Sequence, residues 1–408
     1  MNSTHKVEVV PIVLEEHGNA DTLSIVRVFS GYTCVVRTAD WVGVGLGAYI
    51  PPDSLVDTNR PEFTFLAKDA NAEGFARIKA QKLRGVVSYG LLVPLPPAWP
   101  GSVGDDVAEM FGVTHWEPRT GGAGISVAGL NLGEANSPAP AVYCPKYDLE
   151  AFKRHHSELI PGELVYVTEK IHGTSARYVF LDGQMYCGSH ENWKLEFADY
   201  SHITMEYLVN TITKQYEQRE ARMLQLGQDA APWRDKAIPV QKKAELLLAR
   251  VIKHQGEKNL WWKMLEYAPI ESWCESHPGM VLYGEVFGQV QKGYQYGATQ
   301  DNPLFFAAFD VMAAGKFLDV TPMLMALRQD DFAPIPLVPH LFTGSYNFDK
   351  IIELSDGPSR WLGAAHNREG CVVRPMQERC GRSGRVVLKC VGATYTMQQQ
   401  PQEEEEVL

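Results

Sequence analysis

The chain has 408 residues, of which 45% are hydrophobic and 21% charged, a composition typical of an ordinary soluble protein with two or three domains. A formal net charge of −11 argues against a surface coated with basic patches, so any surface that binds nucleic acid has to be local. The seven cysteines are odd in number and form no CxxC pair, so neither a disulfide framework nor a zinc site is indicated.

The two ends of the chain and its hydropathy indicate a cytoplasmic protein. The start, MNSTHKVEVV, lacks a basic and then apolar leader, and no stretch approaches ~18 uncharged apolar residues. We therefore expect a cytoplasmic location, in the host if the protein is viral, and no membrane contact. Four consecutive glutamates follow the Gln-rich stretch MQQQPQ, which predicts a disordered acidic tail over residues 396–408.

Short β segments, separated by Gly, Pro, Asn and Asp, fill the first part of the chain. They are KVEVVPIVL, SIVRVF, TCVVRT, GAYIPP, ARIKAQKLRG and SYGLLVPL. This pattern predicts a small barrel domain over residues 1–118. It contains a local basic run formed by Arg77, Lys79, Lys82 and Arg84. Such a run can follow a phosphate backbone, although a solvated edge strand would look similar.

A stretch rich in Gly, Pro and Ser comes next, and with the helix candidate DLEAFKRHH it predicts a linker and short helix over residues 119–160. From 161 to 395, strands alternate with helical stretches, as in an α+β domain built on antiparallel sheets. One charged, helix-periodic segment, from 204 to about 256, predicts a helical insertion. It is either a solvated helical hairpin or a contact for RNA or a partner.

Lys170 ends an apolar strand in TEKIHGTS and is followed closely by a glycine and two hydroxyl residues, which favour a tight turn. A nucleophilic lysine needs a neutral amine, and at an ordinary pKa near ~10.4 this requires desolvation or neighbouring cations. The end of a buried strand can provide desolvation. An isolated KxxG is more often a strand-edge lysine that discourages aggregation, so the assignment depends on other residues.

Two carboxylates and a second lysine follow in order. Glu285 lies in VLYGEVFG, Glu369 opens EGCVVRP, and Lys389 lies near the end of RVVLKC. Nucleotidyl transfer needs acidic groups for a divalent cation and for ribose hydroxyls, and cations for the charge that develops at phosphorus. We expect these groups to converge with Lys170 on one cleft, although each alone is compatible with a solvated strand end. Phe309, in FFAAFDV, is a candidate platform for a stacked base.

Together these segments resemble the motifs of the covalent nucleotidyltransferases, the superfamily of RNA ligases, DNA ligases and mRNA capping enzymes. The matching segments, in chain order, are Lys170–Gly173 (motif I), Leu282–Glu285 (motif III), Phe309–Asp310 (motif IIIa), Glu369–Pro375 (motif IV) and Leu388–Lys389 (motif V). Histidine in place of the usual aspartate, within KIHGT, resembles the second class of phage RNA ligases and their relatives. This detail favours an RNA ligase.

The front of the chain carries a second resemblance. HGNADTLSI and GAYIPPD are similar to the OB-type tRNA-binding modules of aminoacyl-tRNA synthetases. An OB domain ahead of motif I resembles the Deinococcus and Naegleria type of RNA ligase, whereas DNA ligases and capping enzymes carry it after motif V. The resemblance implies an α+β protein: an OB-type β-barrel, then a nucleotidyltransferase domain of ATP-grasp-like antiparallel sheets with helices.

The resemblance also implies a role for each matched residue. Lys170 would attack the α-phosphorus of ATP and carry the AMP that activates an RNA 5′-phosphate for attack by a 3′-hydroxyl. Glu369 would bind Mg²⁺ or Mn²⁺, directly or through water. Glu285 would hold the ribose, Phe309 would stack on adenine, and Lys389 would contact the α-phosphate. The full set implied to contact ATP is Glu169, His172, Gly173, Glu285, Phe309, Arg374 and Lys389.

The implied partner is RNA with 3′-hydroxyl and 5′-phosphate ends, including a nicked duplex, bound by a monomer in RNA repair. RNA contacts are expected at Ser189 and His190 and along the basic run of the barrel. Two positions depart from the family pattern. His190 stands where an arginine usually follows serine, and Val391 stands where motif V usually has a second lysine.

Three alternatives remain open. A DNA ligase and a capping-type guanylyltransferase share the same motifs and differ in the nucleotide or the strand that they use. A non-catalytic RNA-binding protein would combine the OB module with a decayed transferase domain. The presence of Lys170, Glu285, Glu369 and Lys389 together argues against decay.

Overall fold

The computed structural model describes residues 6–71, 74–96, 99–115, 125–127, 130–132, 135–225, 231, 234, 237–291, 293–328 and 334–398. The described chain divides into two compact units. Unit 1 contains the described residues of Met1–Arg119, Asp148–Ile171 and Val338–Gln402, and unit 2 contains those of Thr120–Tyr147 and His172–Leu337. The division passes between Ile171 and His172, inside the segment predicted as one ligase domain, so each unit holds part of the predicted motifs.

Short antiparallel strands dominate the structure. The strands are β1 (Glu8–Pro11), β2 (Leu14–Glu16), β3 (Leu23–Val28), β4 (Tyr32–Arg37), β5 (Leu46–Ile50), β6 (Ser54–Asp57), β7 (Phe75–Arg77), β8 (Gln81–Leu83), β9 (Val86–Ser88), β10 (Leu91–Pro94), β11 (Thr114–His115), β12 (Ile125–Val127), β13 (Leu130–Leu132), β14 (Glu150–Ala151), β15 (Leu164–Lys170), β16 (Thr174–Leu181), β17 (Gln184–Ser189), β18 (Trp193–Lys194), β19 (Val281–Gly288), β20 (Leu304–Ala313), β21 (Lys316–Phe317), β22 (His340–Ser345), β23 (Gly370–Pro375), β24 (Cys380–Gly381), β25 (Gly384–Arg385) and β26 (Leu388–Val391).

Helices connect and cover these strands. The α-helices are α1 (Thr38–Trp41), α2 (Ala108–Phe111), α3 (Phe152–His155), α4 (Met205–Gln225), α5 (Val240–His254), α6 (Leu260–Lys263), α7 (Ile270–Ser276), α8 (Val320–Leu327), α9 (Phe348–Ser355) and α10 (Ala393–Gln398). Short 3-10 helices span Thr64–Asp69, His156–Glu158 and Met264–Glu266. None of the helices in the described ranges is both long and apolar enough to cross a membrane.

The N-terminal part of unit 1 is built from small antiparallel sheets with the strand orders β1-β5-β10, β2-β3-β4, β11-β6-β7 and β8-β9. Apolar side chains alternate with polar ones along these strands, and the inward ones form the core. Val9, Ile50 and Phe63 lie in one buried cluster, and Val26 and Tyr49 lie in another. The segments predicted as strands contain or overlap most of β1, β3–β5, β7, β8 and β10, but they reach only Leu14 of β2 and Ser88 of β9. The sequence patterns did not predict β6 and β11.

Within unit 1 the barrel packs against the segment that was predicted as a linker. The ammonium of Lys153, on α3, lies 3.4 Å from the ring centroid of Tyr89. Arg154 forms an ion pair with Glu8. A Cβ at Gly31 would clash with the backbone carbonyl of Lys153. The backbone segments around these two residues therefore approach more closely than a side chain would allow. The barrel is therefore part of the same compact unit as the ligase-motif sheet.

The second part of unit 1 is a five-stranded sheet with the order β14-β26-β23-β15-β22. One face is apolar and packs on α9 through a buried cluster that includes Val167, Cys371, Val373 and Cys390. Because side chains alternate along a strand, the residues between these point to the other face. The strands of motifs I, IV and V therefore present one polar face together.

Unit 2 centres on a six-stranded sheet with the order β18-β17-β16-β19-β20-β21. The segment predicted as a helical insertion contains α4 and α5, which pack together in a buried cluster with Leu208, Ile212, Ala244 and Leu247. Residues 226–230, 232–233 and 235–236 of that segment lie outside the described residues.

Two predicted segments contain more regular structure than expected. The short helix predicted at DLEAFKRHH is present as α3, and the predicted linker also carries the hairpin β12–β13 and the strand β14. Its residues 119–124, 128–129 and 133–134 lie outside the described residues. The predicted tail was placed too early, because residues 396–398 belong to α10, and residues 399–408 lie outside the described residues.

Candidate active site

Lys170 ends β15 beside a carboxylate. Its Nζ lies 2.7 Å from Oε1 of Glu369, and the two side chains are 24% and 9% exposed. Gly370 is the cross-strand partner of Lys170. A Cβ at Gly370 would clash with the backbone carbonyl of Cys390, so glycine is needed where β23 approaches β26. Glu369 directly precedes β23 and therefore lies at the edge of the sheet where β15 ends, beside Lys170.

A second lysine lies on the same face of the sheet. Lys389 pairs with Val372, and Val372 is two residues from the partner of Lys170, so both lysines point to one side. Burial, and then the charge of Lys170, lowers the pKa of Lys389, while Glu369 and Asp53 act in the opposite direction. Unit 1 thus brings together three of the predicted charged groups. Two cations at close range form a suitable site for phosphate oxygens.

Glu169 does not join this group. It lies on the opposite face of β15, and its buried carboxylate accepts hydrogen bonds from the hydroxyl of Ser359 at 2.5 Å and the backbone N–H of Arg360 at 2.6 Å. Burial raises the pKa of this carboxyl group, and the two hydrogen bonds oppose that effect. The structure therefore directs the Glu169 side chain away from Lys170. Ser359 and Arg360 were missed because no motif marks them.

Arg374 is buried and forms an ion pair within unit 1. Its guanidinium lies 3.1 Å from the carboxylate of Glu378, which also accepts a hydrogen bond from Arg385 at 2.6 Å. Arg374 shares the polar face, but it lies four residues along β23 from Gly370, roughly 13 Å away at the rise of a strand. The structure does not bring this side chain to Lys170, and its contact with phosphate stays a prediction.

In unit 2, the glycine of motif I lies against the strand of motif III. Glu285 is half-buried on β19, opposite Ser175 on β16 and Ala307 on β20. A Cβ at Gly173 would clash with the backbone carbonyl of Val286 and would lie 3.0 Å from Cγ of Glu285. Glycine therefore allows the motif I turn to pack beside the Glu285 side chain, which brings two predicted ATP-binding residues together.

His172 is held by residues that the sequence reasoning missed. Its backbone N–H donates a hydrogen bond to the hydroxyl of Tyr296 at 2.8 Å. Its ring meets the ring of Tyr294 edge to face, with centroids 4.7 Å apart. Both tyrosines lie in the segment between β19 and β20, which carries no motif that marks it as part of a site.

Phe309 lies at an irregularity in β20. The pairing of β19 with β20 shifts between Tyr283 and Gly284, which is the signature of a β-bulge. Phe309 is half-buried, and its ring centroid lies 4.7 Å from that of Tyr147. The Tyr147 hydroxyl donates to the carboxylate of Asp310 at 2.7 Å. Tyr147 was missed because it lies far from Phe309 in sequence.

The predicted RNA contacts in unit 2 lie in a turn. The Ser189 hydroxyl accepts hydrogen bonds from the backbone N–H groups of Glu191 at 3.2 Å and Asn192 at 3.0 Å. The His190 ring lies 2.8 Å from the Glu191 carboxylate. Ser189 thus stabilises the turn that presents His190, and contact with RNA at these two positions stays a prediction.

The basic run of the barrel does not form one exposed strip. Arg77 is largely buried and lies 2.6 Å from the carboxylate of Asp53. Lys79 is half-buried, whereas Lys82 and Arg84 are exposed on the β8–β9 hairpin. The exposed charge of this run is therefore concentrated at the hairpin, and contact with RNA along the run stays a prediction.

A divalent cation fits the residues of unit 1 if a bound nucleotide supplies further oxygen ligands. Within the ranges that the structure describes, no group of three or more His, Cys, Asp or Glu side chains could hold a metal ion. Glu369 supplies one hard carboxylate at Lys170. Mg²⁺ keeps several waters and often binds through one or two carboxylates and the phosphates of a substrate, so a single carboxylate is sufficient when a nucleotide is bound.

Comparisons with known proteins agree with this geometry. The model of a family described as RNA ligase matches residues 163–391, and that of an OB-fold domain matches residues 3–95. No curated protein matches the chain.

Solved structures of Naegleria gruberi RNA ligase are similar over nearly the whole chain. A lysine-to-alanine mutant, apo, has 19% identity and a TM-score of 0.66, covering 97% of this chain and 98% of that one. A second lysine-to-alanine mutant, with ATP and Mn, has 20% identity and a TM-score of 0.65, covering 96% and 98%. A glutamate-to-alanine mutant, with AMP and Mn, has 19% identity and a TM-score of 0.66, covering 96% and 98%. At this level of identity the similarity shows a shared fold.

Proposed function

The chain belongs to the RNA ligase family, whose match covers more than half of its residues, and on that premise we propose that it seals RNA 3′-hydroxyl to 5′-phosphate ends with ATP. The observation that carries the proposal is the pairing of Lys170 with Glu369 at 2.7 Å, on the sheet face that Lys389 shares. These three groups match the needs of a nucleophile, a metal ligand and a phosphate contact.

The chemistry proceeds in three substitutions at phosphorus. The neutral amine of Lys170 attacks the α-phosphorus of ATP, an N–P bond forms as the nitrogen gives up a proton, and the bond to the bridging oxygen breaks to release pyrophosphate. An oxygen of the RNA 5′-phosphate then attacks the same phosphorus, and the lysine leaves and regains a proton. Finally the 3′-hydroxyl attacks the activated 5′-phosphate, gives up its proton, and AMP leaves.

Residues of unit 1 have defined tasks in these steps. Lys389 would stabilise negative charge at the α-phosphate. Burial, and then the charge of Lys170, lowers its pKa, and a bound phosphate would offset both effects. Glu369 would hold Mg²⁺ or Mn²⁺, which supplies further neutralisation of phosphate charge when it is bound.

Residues of unit 2 would bind the nucleoside. Glu285, beside the glycine of motif I, would accept hydrogen bonds from ribose hydroxyls, and the half-buried ring of Phe309 would stack on adenine. Support comes from the solved Naegleria gruberi RNA ligase structures of the same fold, which contain ATP or AMP with Mn.

We assign the RNA contacts to the β8–β9 hairpin of the barrel and to the turn at Ser189 and His190. The exposed charges of Lys82 and Arg84 suit a phosphate backbone. The substrate in this proposal is a broken or nicked RNA that requires repair, acted on by a monomer in the cytoplasm.

The decisive experiment is incubation with α-labelled ATP and Mg²⁺ or Mn²⁺, followed by denaturing electrophoresis. We expect covalently labelled protein whose bond is labile in acid and stable in alkali, as a phosphoramidate is. Lys170→Ala should remove the label entirely. Lys350→Ala, which removes an exposed lysine of the same unit, should retain it. Label that persists in Lys170→Ala would show that another residue is the nucleophile.

Two further arms separate the alternatives. Labelling by GTP instead of ATP would indicate a capping-type guanylyltransferase. Sealing of nicked DNA in preference to nicked RNA would indicate a DNA ligase. A folded protein with no label from either nucleotide would indicate an RNA-binding protein without this chemistry.

A further inference from the structure

The segment between β19 and β20 contacts the motif I turn through two hydrogen bonds and one ring contact. We name residues 289–303, of which Lys292 lies outside the described residues, the β19–β20 loop. The Tyr296 hydroxyl accepts the backbone N–H of His172 at 2.8 Å. The Gln291 side-chain amide donates to the backbone carbonyl of Gly173 at 3.1 Å. The Tyr294 ring packs against the His172 ring at 4.7 Å.

Tyr296 has an unfavourable backbone conformation at the position from which its hydroxyl contacts His172. Its φ is 53°, and the φ of Gly297 is 80°. These two residues are central in a turn closed by a hydrogen bond from the Ala298 N–H to the Gln295 carbonyl at 2.8 Å. Turns with positive φ at both central positions favour Asn, Asp and Gly, and a bulky aromatic residue is an outlier there.

The burial of Tyr296 shows what holds it in that conformation. The residue is 1% exposed, and its ring lies 4.9 Å from that of Phe287 on β19. An asparagine or glycine would suit the backbone better, but neither could carry a hydroxyl from that position to His172. Strained residues of this kind cluster at functional sites, where the surrounding structure enforces them.

The turn that the loop holds follows the proposed nucleophile directly in the chain. His172 and Gly173 follow Lys170 by two and three residues, and Gly173 packs beside Glu285, the proposed ribose ligand. A loop that binds both a backbone donor and a backbone acceptor of this turn restricts its conformation. Small displacements of reacting groups cost much of the rate, because in-line attack needs close alignment.

We propose that Tyr296 and Gln291 are positioning residues, which fix the His172–Gly173 turn for formation of the lysyl-AMP bond, and that Tyr294 fixes the imidazole of His172. This inference rests on the proposed function. Neither Tyr296 nor Gln291 need touch ATP, so their loss should affect the rate of the chemical step more than the binding of nucleotide.

The test measures single-turnover formation of lysyl-AMP over a range of ATP concentrations. Tyr296→Phe keeps the ring and removes only the hydroxyl. We expect its rate at saturating ATP to fall by about tenfold, the loss that follows from one hydrogen bond in the transition state. The ATP concentration for half-maximal rate should change by less than about threefold, since ground-state binding is retained. Tyr207→Phe, which alters an exposed tyrosine of α4 in the same unit, is the matched control.

Gln291→Ala should produce a similar fall, and the double variant should lose less than the product of the two, because both residues restrain one turn. Thermal melting of each variant separates a folding defect from a positioning defect, and Gln291→Ala keeps the test decisive if Tyr296→Phe melts early. Rates within about twofold of the wild type for both variants would overturn the inference. A rise in the half-maximal ATP concentration without a fall in rate would also overturn it. Wild-type protein that forms no lysyl-AMP would instead overturn the proposed function.

Discussion

The two units display their predicted residues on sheets of different character. In unit 1, Lys170, Glu369 and Lys389 form a compact group of charges where β15, β23 and β26 pair without a break in register. In unit 2, Phe309 lies with Tyr147 at a β-bulge, on a sheet dominated by aromatic and apolar side chains. The charged group suits the handling of phosphate, whereas the aromatic group suits a nucleobase.

The two units differ in how the backbone determines the face of the sheet on which a side chain lies. In unit 1 the alternation of the strands is sufficient, since Cys371 and Cys390 enter the core and leave Val372 and Lys389 on the other face. In unit 2 an irregularity is needed, because a bulge reorients the strand where Phe309 lies. The first arrangement is set by register and the second by a local break in register.

The charge of unit 1 should produce the largest effects. Glu369→Ala and Lys389→Ala should each lower the single-turnover rate of sealing a nicked RNA by about a hundredfold or more, because metal and phosphate stabilisation are lost. Glu353→Ala, which removes an exposed carboxylate of α9, is the control and should seal normally. Near-normal sealing by either of the first two variants would show that unit 1 does not supply these groups.

The aromatic group of unit 2 should affect nucleotide binding in particular. Phe309→Ala should raise the ATP concentration for half-maximal labelling by about tenfold, the value of one stacking contact. Phe309→Tyr keeps the ring and should stay within about twofold of the wild type. If Phe309→Ala leaves this concentration unchanged, adenine does not stack on Phe309, and the division of tasks between the two sheets is incorrect.

The barrel should contribute the smallest effect. Combining Lys82→Gln with Arg84→Gln should weaken RNA binding a few-fold and reduce the slope of log affinity against log salt by up to about 2, because two phosphate contacts are lost. Lysyl-AMP formation should be unaffected. Lys68→Gln, which changes an exposed lysine elsewhere in the barrel, should leave the slope unchanged. An unchanged slope in the double variant would remove the hairpin from the RNA-binding surface.

Sequence patterns, and the family resemblance that they carry, predicted the architecture and a set of candidate site residues. The order of an OB module followed by a nucleotidyltransferase domain is confirmed by the two family matches and by the fold shared with Naegleria gruberi RNA ligase. The strands that carry Lys170 and Lys389 and the strand that Glu369 precedes were predictable because each has a short run of apolar, β-branched residues, which is a local signal.

Only the tertiary structure decided which charged groups are available. Glu169 meets Ser359, 190 residues away in the chain, and Arg77 meets Asp53 across 24 residues. The hydrogen bond between the His172 N–H and the Tyr296 hydroxyl joins residues that lie 124 positions apart in the chain. Motifs and periodicity report which side chains a strand carries and which face they take. The partner that a side chain binds depends on long-range packing, because segments distant in sequence are brought together only when the sheets assemble.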